Sequence, residues 1–230
     1  MAGVSRQQYA PDIKLIRVMC SGRVDLAFVF RAFSNGTDGV FIGGCHLNEC
    51  HYITHGNYHA LSMVQIGKKL MDLVGVDPER LRIESLSAGE GIRFAEIMND
   101  FSEKVRKIGP LGKGEGIDVE ALKFKLDAVT KLIPYIRLVE RERLRVRFDT
   151  VEEYNKFFSS DEVNRLFQDL ITDKFIISQI LSLLREKPRS TGEISEVLGL
   201  TPSIVSKYLN SSTRQGLARF DIGQKRFVAA

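Results

Sequence analysis

Every cysteine and histidine of this sequence falls between residues 20 and 59: Cys20, Cys45 and Cys50, with His46, His51, His55 and His59. The densest part is Gly43-Gly44-Cys45-His46-Leu47-Asn48-Glu49-Cys50-His51-Tyr52. Thiolates are soft ligands that suit iron–sulfur clusters, zinc or copper(I). Two cysteines in one tight loop and a third at a neighbouring strand end can converge on one centre. Gly43 and Gly44 let the backbone approach closely and offer amide donors to cluster sulfurs. The Cys-x4-Cys spacing of Cys45 and Cys50 also occurs within one plant-type cluster pattern. Zinc held by Cys20, Cys45, Cys50 and one histidine is a second chemistry open to the same donors. Free cysteines that only fill a core are the third reading.

The elements that must position these residues read as strand and helix in alternation. Ile13 to Val18, Gly39 to Gly44 and Leu81 to Ser87 are strand-length apolar runs, each followed by a helical pattern. The helices span Val24 to Ser34, Asn57 to Val74 (stopped by Gly75 with Pro78 beyond) and Glu90 to Ile108. This order predicts a small parallel sheet, with sites outside the carboxyl ends of its strands. Cys20 lies just past the first strand and Cys45 just past the second.

Gly109 to Gly116 holds four glycines and a proline, which reads as a linker. Asp118 to Ile133 is the next helix, stopped by Pro134, and Tyr135 to Phe148 is a charged, solvated helix with a strand at its end. Short helices follow at Thr150 to Phe158 and Asp161 to Ile171, capped by Thr150 and by Ser160 or Asp161. Asp173 to Glu186 is an apolar helix. Ser190 or Thr191 caps a helix that Gly199 stops, and Thr201-Pro202 opens another that runs to Gln215. Arg219 to Val228 makes a two-stranded wing around Gly223. Helix, turn, helix and wing is the winged-helix arrangement. The fold class is therefore α/β, a small parallel sheet cluster domain over residues 1–110, a linker and helical connector over 111–160, and a C-terminal winged helix over 161–230.

Composition sets outer bounds. The chain has 230 residues, 43% hydrophobic and 27% charged, which suits an ordinary globular protein large enough to form a core without disulfides. An odd count of three cysteines fits a reducing compartment. The longest apolar stretch near the start, Leu26 to Phe33, is interrupted by Arg31, and Met1 to Arg6 has no apolar signal core. These features predict a cytoplasmic protein with no membrane partner. From Asp173 to Ala230 nine basic residues stand against five acidic ones, so the whole net charge of +4 sits in the last quarter. Such a segment suits nucleic acid or an acidic partner surface. Ser203, Lys207 and Arg214 on the second helix of the winged-helix pattern are the candidate contacts. The sequence contains no P-loop, no dinucleotide fingerprint, no acid–base pair and no nucleophile triad, so catalysis is left to partner subunits.

At several stretches the sequence resembles the delta subunit of methyl-viologen-reducing (F420-non-reducing) hydrogenase, a module also found in heterodisulfide reductase assemblies. The stretches begin with Gly3-Val4-Ser5-Arg6, Gln8-Tyr9, Ile16-Arg17-Val18 and Cys20-Ser21-Gly22-Arg23-Val24-Asp25. They continue through Asp38-Gly39-Val40, Gly44-Cys45-His46, Cys50-His51-Tyr52 and Gly56-Asn57-Tyr58. The last are Asp77-Pro78-Glu79-Arg80-Leu81-Arg82, Ser87-Ala88, Glu90-Gly91 and Arg93-Phe94. The segment from about Asp161 resembles the winged-helix extension of longer members.

The resemblance implies a [2Fe–2S] cluster that relays electrons from the hydrogenase small subunit, or another donor, to the flavin subunit of heterodisulfide reductase. In methanogens that flavin splits electron pairs between a heterodisulfide and ferredoxin. Cys20, Cys45 and Cys50 are then the ligands. Arg23, His46 and His51 tune the cluster through charge and hydrogen bonds. Members of the family carry a further strand and a turn resembling Cys-Asn-Trp-Cys-Ser-Tyr ahead of the Gly-Val-Ser-Arg stretch, which here lies at the very start of the sequence. The fourth ligand is accordingly expected from one of four sources. These are a start misassigned within a longer frame, a selenocysteine codon read as a stop, a separate chain, or a histidine such as His46 or His51. A redox-responsive winged-helix transcription regulator is the alternative of a different class.

Overall fold

The computed structural model describes residues 8–52 and 54–230. The Gly3-Val4-Ser5-Arg6 stretch and Ile53 lie outside the described residues. The fold is mixed α/β, mostly helical, with two small sheets.

Apolar spacing and caps account for most of the elements. Asp25 caps α1 (Leu26–Ser34) by accepting from the Ala27 N–H at 2.7 Å. β1 (Val40–Gly44) leads through the cysteine loop into α2 (Asn57–Val74), and left-handed Gly75 closes α2 by donating to Met71 and Asp72 carbonyls. β2 (Leu81–Ser85) pairs parallel with β1, from Val40 opposite Leu81 to Gly44 opposite Ser85. α3 (Gly91–Ile108) covers one face of this pair, where Phe101 meets Phe41 with ring centroids 5.6 Å apart. α2 covers the other face. There Gly67 lies so close to Leu81 that an added Cβ would stand 2.8 Å from its side chain.

One expected strand does not form. Ile13 to Val18 is irregular backbone, with Leu15 and Ile16 exposed. A strand needs a hydrogen-bonded neighbour, and among the described residues this segment has none. The parallel sheet therefore has two strands in the described residues, not three.

α4 (Val119–Val139) also departs from expectation, because it runs straight through Pro134. Leu126, Val129, Ile133, Ile136 and Val139 are all buried on one side of it. That packing outweighs the backbone bond Pro134 cannot make. The charged stretch beyond is a π-helical turn over Glu140–Leu144 and then extended backbone. α5 (Val151–Phe158) starts at a Thr150–Glu153 capping box, and Ser160 caps α6 (Asp161–Phe167). A second π-helical turn over Gln168–Thr172 joins α6 to α7 (Asp173–Glu186) without a break.

The first core runs from Leu26 to Phe175, so α4 to α6 pack into the same interior as the parallel pair. A second core gathers α7, α8 (Thr191–Leu198), α9 (Pro202–Arg214) and the antiparallel hairpin β3 (Ala218–Asp221) and β4 (Arg226–Ala229). Ser190 with Glu193 caps α8, Gly199 stops it, and Thr201-Pro202 opens α9.

The glycine-rich segment is a folded loop. Arg80 is fully buried, and its Nε and Nη2 donate to both carboxylate oxygens of Glu115 at 2.6 and 3.1 Å. Its Nη1 donates to the Asp38 carbonyl at 2.9 Å. Burial alone would push the Glu115 carboxyl up. Arg80 and the N–H groups of Asp77 and Gly112 outweigh that and hold it below its ordinary 4.5. Replacing Glu115 with Ala leaves a buried guanidinium unpaired and should cost about 3–5 kcal/mol in denaturant unfolding at neutral pH. A carboxylate with a lowered native pKa stabilises above its unfolded pKa and loses that contribution as pH falls through the native value. The gap between wild type and Glu115→Ala should therefore narrow as the solution is acidified below the ordinary 4.5 of a glutamate.

Candidate functional site

The cysteine loop is held from two directions. His46 to Glu49 forms a turn, with the Glu49 N–H donating to the His46 carbonyl at 3.2 Å. Asn48 takes the left-handed position of that turn at φ 67°, which asparagine tolerates better than most residues. The Tyr58 hydroxyl donates to Asn48 Oδ1 at 2.7 Å, and the Arg147 guanidinium lies 4.5 Å from the centre of the Tyr58 ring. Buried Asn57 donates through Nδ2 to the Cys45 and His46 carbonyls at 3.0 and 2.7 Å. Asn57 thus links the start of α2 to the first half of the loop.

Close backbone approach then brings the three cysteine-bearing segments together. Cys20 precedes a tight turn over Ser21–Arg23, where Gly22 packs directly on the backbone of His55 and Gly56. Gly56 in turn lies directly against the Cys50 sulfur, leaving no room for a side chain. Gly44 faces Ser21, so that a Cβ there would lie 2.7 Å from its hydroxyl.

The result is a trio of thiols centred on Cys50. Burial opposes ionisation of Cys50. The nearby Asn57 and Tyr52 N–H groups, and after them the Cys45 and Cys20 thiols, outweigh that and bring its pKa below 9.0. Burial pushes the Cys45 thiol up to about 11, and the neighbouring Cys50 sulfur adds to that. Of this pair, Cys50 is therefore the easier to ionise. Two buried polar atoms beside the trio, Ser21 Oγ and Asn57 Oδ1, have no hydrogen-bond partner among the described residues.

The histidines are arranged differently. His46 Nε2 meets Glu90 Oε2 at 2.8 Å. Glu90 also accepts from the Ser87 N–H at 2.6 Å and from Arg93 at 3.0 Å. Those donors, the Ser87 N–H first, hold the Glu90 carboxyl far below the usual carboxylate range. His51 is exposed and meets Tyr52 edge-on, while Arg23 is exposed on the Cys20 turn. Among the described residues neither Arg23, His46 nor His51 hydrogen-bonds a cysteine sulfur, and no three His, Cys, Asp or Glu side chains form a ready cage for a single metal ion. His55 and His59 stand edge to face at 5.3 Å. Burial and then Arg145 push His59 down.

Residue type and spacing single out all three thiols but neither Asn57 nor Glu90. Both lie within the stretches that carry the family resemblance, yet their role depends on contacts 11 to 44 residues away. At the other end of the molecule, Ser203, Lys207 and Arg214 share the solvent face of α9, opposite buried Val205, Tyr208, Leu209 and Ser212. α9 has no acidic residue.

Comparison with known proteins follows this division. The profile for the methyl-viologen-reducing hydrogenase delta subunit matches residues 1–109. The iron-sulfur subunit of F420-non-reducing hydrogenase from Archaeoglobus profundus is 49% identical over 110 residues, 48% of this chain and 80% of that protein. The chain belongs to the methyl-viologen-reducing hydrogenase delta subunit family. A second member, the iron-sulfur subunit of the vhc F420-non-reducing hydrogenase from Methanococcus voltae, is 48% identical over 109 residues, 47% of this chain and 75% of that protein. The same stretch is 45% identical over 112 residues to one subunit of the ferredoxin/F420H2-dependent CoB-CoM heterodisulfide reductase from Methanosarcina acetivorans, where it covers 49% of this chain but 14% of that protein. Residues 178–218 match a separate profile, the bacterial regulatory protein, arsR family.

Because Gly56 touches the Cys50 sulfur, Gly56→Ala should destabilise the chain by about 2 kcal/mol or more in denaturant unfolding. Gly89→Ala, where an added Cβ meets nothing within 4 Å, should stay within about 0.5 kcal/mol of wild type.

Proposed function

We propose that this chain is a non-catalytic electron-transfer subunit of a hydrogenase–heterodisulfide reductase assembly, carrying a [2Fe–2S] cluster on Cys20, Cys45 and Cys50. The observation that carries the reading is the close backbone contact that gathers the three cysteine-bearing segments at the carboxyl end of the parallel pair, in a member of this family. The donor set fits such a cluster in kind. It supplies three thiol ligands, and the unpartnered Ser21 hydroxyl supplies a hydrogen-bond donor beside them. A fourth ligand would have to join them. Among the described histidines, His51 is open, and His46 keeps only Nδ1 clear of Glu90.

When bound, the cluster would supply one-electron transfer. The chain's own residues would hold and tune it. The Tyr52 and Asn57 N–H groups stabilise negative charge on the Cys50 sulfur. Asn57 fixes the loop backbone, and Glu90 fixes the His46 ring. Arg23, His46 and His51 flank the trio and would adjust its potential by charge.

The donor would be a hydrogenase small subunit or another reductant, and the acceptor the flavin subunit of heterodisulfide reductase. The setting would be the cytoplasm and, in methanogens, methanogenesis. No helix among the described residues is long and apolar enough to cross a membrane. Residues 1–110 would be the electron-transfer unit, 111–160 its helical buttress and 161–230 a winged helix that docks the protein to a partner.

A second reading is favoured by the match to the arsR-type regulators and by the acid-free face of α9. In it the winged helix binds DNA, and the chain is a redox-responsive transcription regulator. Titration of labelled duplex fragments separates the two. Under the docking reading, binding is absent or indifferent to sequence. Under the DNA reading it is selective and salt-dependent, and Lys207→Ala or Arg214→Ala each reduces the salt slope by about one.

Purification without oxygen, followed by iron and sulfide analysis, tests the main reading. About two irons and two sulfides per chain are expected, with a paramagnetic signal after reduction that Cys45→Ala abolishes. Zinc without sulfide would replace the cluster with a structural zinc site on the same cysteines, and a metal-free protein would end both readings.

A further inference from the structure

The cysteine loop is held in part by a residue from beyond the family stretch, which ends at residue 109. Tyr58, the second residue of α2, is 2% exposed, and its hydroxyl donates to Asn48 Oδ1 at 2.7 Å. Asn48 lies between Cys45 and Cys50 and takes the left-handed position of the loop. Tyr58 is engaged from its other side as well. Arg147 Nη2 donates to the Tyr58 hydroxyl at 3.3 Å, and the guanidinium carbon stands 4.5 Å from the ring centre. A hydroxyl carries one proton, and its oxygen can also accept. With Arg147 donating to that oxygen, the proton is left for Asn48.

The backbone that carries Arg147 is pinned from beneath. Val146 and Phe148, on either side of it, pack against the first core. Fully buried Tyr154 of α5 donates its hydroxyl to the Val146 carbonyl at 3.2 Å and accepts the Phe148 N–H at 3.5 Å. The Phe148 and Tyr154 rings meet edge-on at 5.3 Å. An unbroken path of contacts therefore runs from α5 through Arg147 and Tyr58 to the middle of the cysteine loop. An exposed arginine is ordinarily worth little to its neighbours. Here its partner is buried, and the group behind that partner sits between two of the three cysteines.

We propose that Arg147 is a positioning residue of the thiol site. Acting through Tyr58 and Asn48, it sets the loop that spaces Cys45 and Cys50, and Tyr154 holds it in place. Its charge need not reach the sulfurs. Cys20 precedes a separate turn, Ser21–Arg23, which has no hydrogen bond to Asn48 or Tyr58 among the described residues, and so lies outside its action. The inference deepens the reading of Cys45 and Cys50 as ligands, but it concerns the loop whether or not a cluster is bound.

The test uses the full chain, reduced and freed of metal, and follows alkylation of each cysteine by iodoacetamide with mass spectrometry. Arg147→Ala and Tyr58→Phe should each speed alkylation of Cys45 and Cys50 about fivefold and leave Cys20 within about twofold of wild type, because only the loop opens more often. The double substitution should go no faster than the faster single, as for residues acting in series. Arg147→Lys should restore most of the protection, since an ammonium can still sit on the ring and donate to its oxygen. Arg147→Met, similar in length but uncharged, should not. Gln65→Ala breaks a different contact between α2 and α5, the 2.7 Å bond to Asn155, and should leave all three rates unchanged. In chain purified without oxygen and holding a cluster, the paramagnetic signal should change shape in Arg147→Ala and return to it in Arg147→Lys. Chain that takes up no cluster would end the cluster reading alone, and the alkylation rates would still decide this one. Unchanged rates at Cys45 and Cys50 in Arg147→Ala, equal acceleration at all three cysteines, or rescue by Arg147→Met as full as by Arg147→Lys would overturn the proposal.

Discussion

Arg80 is a cation with no solvent exposure, and the cysteine end of the molecule is built on the means of keeping it there. A buried guanidinium is tolerated only when its donors and its charge are matched within the protein. Glu115 matches the charge. The carbonyl of Asp38, at the approach to β1, takes another donor, and Asp77 and Gly112 complete Glu115 through their N–H groups. Three chain segments therefore meet at one ion pair. With its partners fixed, the start of β1 is set against the start of β2, and the loop after α3 is folded back so that α4 enters beside α2. Surface pairs such as Lys107–Glu103, with side chains 74% and 65% exposed, carry no comparable constraint.

Register at the start of a parallel pair fixes register at its end. Gly44 opposite Ser85 closes the pairing, and the Leu86 N–H donates to the Gly44 carbonyl at 2.6 Å. Cys45 leaves the sheet at this point, and the segment after β2 brings Glu90 across to His46. The thiol trio is thus assembled by backbone packing. Gly22, Gly44 and Gly56 remove the side chains that would hold three segments apart, and Asn57 satisfies the loop carbonyls left behind. The turn carrying Cys20 depends on this contact most, since it has no sheet partner of its own among the described residues.

What the sequence disclosed and what it concealed divide along contact range. α2 and α7 were legible to the residue, because Gly75 and Pro188 punctuate them and their apolar spacing is local. The hairpin and the Ser190, Thr201 and Thr150 caps were legible for the same reason. Pro134 misled because a local rule met a non-local fact: the packing of α4 against α1 and α7 decides that helix. Ile13–Val18 misled in the opposite sense, since strand propensity says nothing about whether a neighbour exists. The Gly109–Gly116 run looked like a tether because glycine content is visible, while the Arg80–Glu115 pair behind it spans 35 residues. At the site, residue type revealed the thiols. The roles of Asn57 and Glu90 appear only once α2 and the start of α3 are packed on the loop.

The join between the two cores bears on how the terminal module can act. α6, the π-helical turn and α7 form one continuous helix from Asp161 to Glu186, about 39 Å long at 1.5 Å per residue. Its first half buries Val163, Phe167 and Ile171 in the first core, and its second half buries Ile180 and Leu184 in the other. Phe124 on α4 packs against that second core as well. Near the junction, the Tyr208 hydroxyl donates to Asp173 at 2.7 Å, and burial, with Asp173 beside it, pushes the Tyr208 pKa up to about 12. That donor therefore keeps its proton across the physiological range and ties α9 to the start of α7. A module held by a shared helix and a second side contact has a fixed orientation relative to the thiols. Such an arm would suit the proposed electron-transfer role, in which a cluster would be presented to a partner at a set distance, because one-electron transfer is governed by separation. A regulator that senses at one end and releases DNA at the other would need that same helix to bend, and its natural hinge is the π-helical turn at Gln168–Thr172.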